Sequence, residues 1–220
     1  MKFLSCISHL KPSLSKLGIY PIVNRAENLL PLFQAGVTTA QIRIKDLQGE
    51  ALFAELKQAD LLAKQFNVRL FINDYWQIAL ELNAYGVHLG QEDLEEASLA
   101  KIHQGGVRLG VSTHNLTEIS QITEKLEIIP SYVAIGAIFA TESKKIATPT
   151  IGLKSLKKWT SGIDLPVVAI GGINSDNIQQ VIECGVSGVA MIQGVFIENM
   201  TLNESIALLQ KNFNNVSHET

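Results

Sequence analysis

GIYPIV at 18–23, followed by TTAQIRI at 38–44, is the stretch whose reading decides the fold. Both are short β-branched runs. Runs of this kind recur as RLFI at 69–72, YGVHL at 85–89, VRLGV at 107–111, SYVAIG at 131–136, PVVAI at 166–170 and SGVAMI at 187–192. Helical patterns lie between them, as at 50–65, 115–126 and 174–184, and Asn115 and Ser175 stand where helix caps belong. Strands that alternate with helices imply parallel βαβ units. Eight such units within 220 residues predict an α/β fold, a single (β/α)8 TIM barrel with a parallel eight-stranded barrel and outer helices. A doubly wound open sheet is the alternative. No composition break divides the chain, so residues 17–212 are expected to form the barrel, with an N-terminal extension at 1–16 and a C-terminal tail at 213–220.

Hydrophobic residues make up 46% of the chain and charged residues 18%, a globular composition that excludes disorder and collagen-like repeats. With 18 Lys+Arg against 21 Asp+Glu the net charge is −3, and there is no basic stripe, so no nucleic-acid partner is expected. No apolar run approaches the roughly 20 residues of a membrane helix. The apolar stretch in MKFLSCISH at 1–9 is too short for a signal peptide, so a cytoplasmic protein without a membrane partner is expected. Cys6 and Cys184 lie far apart without a CxxC partner, which argues against a disulfide framework or a zinc site.

In a barrel of this kind the chemistry sits at the C-terminal ends of the strands. Gln41, Arg43 and Lys45 alternate with Ile42 and Ile44, so the three polar side chains share one face, directed into the mouth. Two cations and an amide there suit an anion such as diphosphate. Asp74 and Asp93 follow consecutive strands, and paired carboxylates without softer ligands suit Mg²⁺. Helix capping is the other reading of each. Ser112 is placed to hydrogen-bond a substrate, and His114 is either a base or a structural histidine. Thr141 to Lys145 carry hydroxyls and ammonium groups suited to a phosphate-closing lid. Gly171-Gly172 after the seventh run and Ile192-Gln193-Gly194 after the eighth would let backbone N–H groups reach a phosphate. No nucleophile constellation is visible.

QIRIK at 41–45, FINDYW at 71–76, GVHLGQEDL at 86–94, LGVSTH at 109–114, IFATESK at 138–144 and VAIGGI at 168–173 together resemble the thiamine phosphate synthase family, in order and in spacing, from Gly18 to Glu198. The resemblance implies a transferase. Such enzymes condense 4-amino-2-methyl-5-(diphosphomethyl)pyrimidine with 4-methyl-5-(2-phosphoethyl)thiazole, giving thiamine phosphate and diphosphate by a dissociative, Mg²⁺-assisted route. It implies that Gln41, Ile42, Arg43, Ile44, Lys45, Asn73, Ser112 and Lys144 hold the pyrimidine diphosphate. It assigns one Mg²⁺ to Asp74 and Asp93, and the thiazole phosphate to Thr141, Glu142, Ser143, Gly172, Ile192 and Gln193. The partners implied are two small-molecule substrates, and a homo-oligomer is left open.

The chain departs from the family pattern at Ala140, Glu142, Ser143 and Gln193, on the thiazole-phosphate side, and at Asn24 after the first run. Two other readings are a tautomerase of the related TenI type, relying on His114, and a non-catalytic ligand-binding barrel.

Overall fold

In the computed structural model, residues 1–6, 16–122, 128–141 and 149–215 are described, the side chains of 214 and 215 excepted. The β-branched runs form β1 (Gly18–Val23), β2 (Thr39–Ile42), β3 (Arg69–Asn73), β4 (Gly86–Leu89), β5 (Arg108–Thr113), β6 (Tyr132–Gly136), β7 (Val167–Ile170) and β8 (Gly188–Met191). All pair in parallel with their sequence neighbours, and β1 pairs with β8, which closes the barrel. The open-sheet alternative is thereby excluded. Helices α1 (Leu29–Gln34), α2 (Gly49–Phe66), α3 (Trp76–Glu81), α4 (Gln91–Glu96), α5 (Leu99–Gln104), α6 (Leu116–Ser120), α7 (Gly152–Thr160), α8 (Ile178–Ile182) and α9 (Leu202–Asn215) fill the connections. Among the described residues no helix is long and apolar enough to cross a membrane.

Local sequence explains several boundaries. Asn67 ends α2 with φ 55, a left-handed conformation that asparagine tolerates. Asn67 N–H then bonds Lys64 O at 3.3 Å and Val68 N–H bonds Ala63 O at 2.8 Å, so the turn that starts β3 satisfies two helix-end carbonyls. Asn115 caps α6 as expected, its Oδ1 accepting from Glu118 N–H at 2.9 Å. Ser175 does not cap α8, which begins at Ile178, two residues later than a Ser175 cap would place it. Asn174 and Asn177 exchange side-chain and backbone bonds there, a local arrangement that competes with helix.

Two apolar layers hold the barrel. The outward faces of the strands pack under the helices, with Ile42, Ile44, Leu56, Ile72, Val87, Leu89, Val111 and Ile135 among the buried residues. Inside the barrel lie Tyr20, Phe71, Tyr132 and Val168. The rings of Phe71 and Tyr132 meet edge to face at 5.0 Å. Gly110 makes room for them: a Cβ there would lie 2.2 Å from the Tyr132 ring.

Residues 1–6 pack against the N-terminal end of the barrel. Phe3 N–H donates to Ile129 O at 2.9 Å, and Ile129 N–H to Met1 O at 2.8 Å. Phe3 is 4% exposed, with its ring edge-on to His103. Two arginines at strand starts fasten the segment: Arg69 donates to Cys6 O and Lys16 O, and Arg108 to Ser5 O. At the other terminus Phe213 is buried within α9. The first six residues thus complete the core floor. Phe3→Ala should cost about 3 kcal/mol of unfolding free energy, the usual range for a buried aromatic. Urea titration checks this, and the KM values of the variant should match wild type. A loss below about 0.5 kcal/mol, the size of a surface substitution effect, would contradict that role.

Candidate active site

All eight strands contribute to the lining of one cavity of about 340 Å³ at the C-terminal mouth of the barrel. Its two halves differ. Gln41, Arg43, Lys45, Asn73, Asp74 and Asp93 form the polar half. Val168, Ile170, Ile173, Ala190 and Met191 face them across the mouth.

The structure places Gln41, Arg43 and Lys45 on the cavity side, as the alternation predicts. Arg43 and Lys45 lie just past the end of β2, and Arg43 N–H still bonds Val23 O at 2.8 Å. Ile42 and Ile44 point the other way into the core, so their side chains do not reach the cavity, and what they contribute is the strand that aims their neighbours. Among the described residues, the Arg43 guanidinium makes no hydrogen bond or ion pair. Lys45 Nζ pairs with Asp74 Oδ2. With the lysine side chain 53% exposed, this pair is worth about 0–1 kcal/mol, so it orients charge more than it stabilises.

Asp74 is not a helix cap. It follows β3 with φ 66, its N–H bonds His88 O at 2.9 Å, and α3 starts two residues on. Asp93 is the third residue of α4, not the cap of a helix from Leu94, and its carboxylate turns back to the N–H of Gly90. That bond serves the helix start, yet the same carboxylate lies beside Asp74. Partial burial, then the Asp74 charge, push the Asp93 carboxyl above its ordinary range. Two oxygen donors opposed in this way fit a hard divalent cation. Among the described residues no group of three or more His, Cys, Asp or Glu stands ready for a metal. An ion held here would complete its shell with water and substrate oxygens, which is the habit of Mg²⁺.

Asn73 is buried at the end of β3 and Ser112 is half-buried in β5, and both line the cavity. His114 lines it too. Its Nδ1 lies 3.1 Å from Glu118 Oε2, which also accepts the His114 backbone N–H at 2.8 Å. Opposite, Thr141, Gly172, Ile192 and Gln193 border the cavity. Gly172 has φ 65, and a Cβ there would lie 2.5 Å from Ala140 O. Only glycine lets the turn after β7 lie this close to the segment after β6. The backbone N–H groups of Gly172 and Gln193 donate to no protein acceptor among the described residues. Glu142, Ser143 and Lys144, and with them most of the expected lid, lie outside the described residues.

Sequence reasoning missed His88. It is 6% exposed within β4, with Nδ1 2.8 Å from Tyr132 OH and Nε2 2.8 Å from Ser112 Oγ. Burial, then the Arg43 charge, push its imidazole down to about 4, so it is neutral at neutral pH. The available signal was position: His88 alternates with Val87 and Leu89, which face the helices, so it must face the barrel interior.

Fold and site define a (β/α)8 barrel whose mouth brings together Arg43 and Lys45, a carboxylate pair and backbone N–H groups unpaired among the described residues. The thiamine monophosphate synthase family model matches residues 19–195, so the chain belongs to that family. It is 48% identical to a thiamine-phosphate synthase of Serratia proteamaculans over 181 residues, 82% of this chain and 84% of the relative. A thiamine-phosphate synthase of Proteus mirabilis is 45% identical over 185 residues, 84% of this chain and 85% of the relative. A solved thiamine phosphate pyrophosphorylase from Pyrococcus furiosus superposes with TM-score 0.77 at 29% identity, covering 91% of this chain and 96% of the other.

The carboxylate pair makes a metal prediction. In Asp93→Asn the charge opposition with Asp74 is gone while an acceptor for Gly90 N–H remains. Without metal its melting temperature at neutral pH should equal or exceed wild type. Its Mg²⁺ affinity should fall at least by the roughly 10- to 100-fold that loss of an outer-shell partner costs. Calorimetric titration with Mg²⁺ measures this, and an unchanged affinity would remove Asp93 from the metal site.

Proposed function

We propose that this mouth joins an aminopyrimidine methyl diphosphate to a thiazole phosphate, making thiamine phosphate and releasing diphosphate. As a member of its family the chain is a transferase. The observation that carries the reading is the single cavity in which Arg43 and Lys45, the Asp74–Asp93 pair and the backbone groups of Gly172 and Gln193 face one another.

The bond between the pyrimidine methylene and the diphosphate oxygen breaks first, and its electron pair leaves with the diphosphate. The electron-rich aminopyrimidine carries the positive charge left on the methylene carbon. The thiazole nitrogen then gives its lone pair to that carbon and becomes a thiazolium. No protein nucleophile is needed. Arg43 and Lys45 bind the diphosphate as its charge grows, so their contribution rises toward the transition state. Asn73 and Ser112 add neutral donors at the same end. Mg²⁺, held by Asp74 and Asp93, supplies further charge neutralisation when bound. The Val168–Ile170–Ala190 side packs against the rings and excludes water, the competing nucleophile. Gly172 and the Ile192–Gln193 turn receive the thiazole phosphate, with Thr141 beside them; by sequence motif alone Glu142 and Ser143 are assigned to the same phosphate and Lys144 to the diphosphate.

Coupled detection of diphosphate should show release only when both substrates and Mg²⁺ are present. Release from neither combination, with the protein folded, would overturn the reading. Arg43→Ala should raise KM for the pyrimidine diphosphate about 10- to 100-fold, the equivalent of losing roughly 1.5–3 kcal/mol of charged hydrogen bonding, lower kcat as well, and leave the thiazole KM alone. A selective rise in the thiazole KM would contradict the assignment. Gln193 offers its backbone N–H, so Gln193→Ser should leave thiazole-phosphate KM the same or lower. A large rise would show that the amide side chain itself binds.

A further inference from the structure

Beneath the cavity a line of buried polar groups crosses the barrel from β2 to β5. Gln41 Nε2 donates to Tyr20 OH at 3.5 Å, and Tyr20 OH lies 2.8 Å from Tyr132 OH. Tyr132 OH lies 2.8 Å from His88 Nδ1, and His88 Nε2 lies 2.8 Å from Ser112 Oγ. The direction of this line follows from counting protons. The Gln41 amide nitrogen only donates, so Tyr20 OH accepts there and must give its own proton to Tyr132. Tyr132 in turn gives its proton to Nδ1. A neutral imidazole then carries its proton on Nε2 and donates to Ser112 Oγ. The opposite direction would leave the buried Tyr20 proton without an acceptor, which buried polar groups avoid. At the far end the Ser112 hydroxyl, its oxygen already engaged, is left with its proton for the cavity.

The backbone holds the same residue. Gln91 Nε2 donates to Ser112 O, so β4 and the start of α4 grip Ser112 at both its carbonyl and its hydroxyl. The His88 carbonyl also accepts the N–H of Asp74, which ties the imidazole's strand position to the carboxylate pair.

We propose that His88 is a positioning residue: through the Tyr20–Tyr132–His88 line it presents the Ser112 hydroxyl as a hydrogen-bond donor to the departing diphosphate. The inference rests on the reading of the cavity as the site of diphosphate departure. A donor set in advance is useful there because it need not reorient as negative charge develops.

The test is a mutant cycle under saturating substrates and Mg²⁺. Glutamine places an amide N–H where Nε2 stands, whereas asparagine reaches only the Nδ1 position. His88→Asn should lower kcat about 10- to 100-fold with KM for either substrate changed less than about threefold, a loss comparable to that of a transition-state donor. His88→Gln should recover most of it. In a Ser112→Ala background His88→Asn should cause no further loss, since both remove one interaction. Tyr132→Phe, which keeps the ring packing, should lower kcat several-fold, again only while Ser112 is present. It decides the matter if His88→Asn does not fold, as monitored by circular dichroism. Equal activity of the Asn and Gln variants, losses that multiply with Ser112→Ala, or an unchanged kcat would each overturn the proposal. Turnover by wild type is the control for the underlying reading: its absence would sink the reaction itself, while its presence with unshifted variants would sink only the role of His88.

Discussion

The parallel pairing of β1 with β8, Gly18 against Gly188 through Pro21 against Met191, is the constraint on which the rest depends. Without it the sheet would remain open and its ligand site would lie in a crevice between strand ends. With it, the turns after β2 and β7 face each other across a single mouth. Closure also forces the interior to be filled, and the filling is what gives the cavity a floor. Tyr20, Phe71 and Tyr132 occupy the space that a barrel of this size leaves for side chains. The two tyrosine hydroxyls are therefore buried where a polar line can run beneath a ligand.

Such a line costs more to build than an apolar floor unless every member finds a partner. Here each does, and the price is met by groups that also serve the mouth: Gln41 and Ser112 are both cavity residues and both ends of the line. The burial that keeps His88 neutral also makes its single proton a matter of direction. Stability and preparation of the site thus draw on the same buried contacts.

Legibility in the sequence followed the range of the interactions involved. The eight strands were readable because their signal is local, a β-branched run between helical patterns, and the observed strands fall within the expected ones to about two residues. The polar face of Gln41, Arg43 and Lys45 was readable for the same reason, since alternation alone places it. The role of residues 1–6 was not. The groups that fasten them are carbonyl oxygens accepting from Arg69 and Arg108, which no pattern near the N-terminus announces. The Ser175 cap misled because Asn174 and Asn177, both stronger local hydrogen-bonders, lie beside it. His88 stood in plain view within GVHL, but its partners come from β5 and β6, and only the register shows that they meet.

The division of the cavity follows from how each half is made. β2 to β5 supply side chains, and their strand ends carry charged, amide or hydroxyl groups on the inward face. The turns after β7 and β8 supply backbone, and the inward residues before them are apolar or small. Side-chain charges can gather around a group whose charge changes during a reaction, because Arg43 and Lys45 have reach and their counter-charges lie alongside. A backbone cradle is fixed by its neighbours, as Gly172 is by the Ala140 carbonyl, and suits a phosphate whose charge stays constant. On the proposed reading the two kinds of anion site would match the two fates of phosphate: the diphosphate would leave from the side-chain half, and the phosphate that stays attached to product would rest against the backbone half.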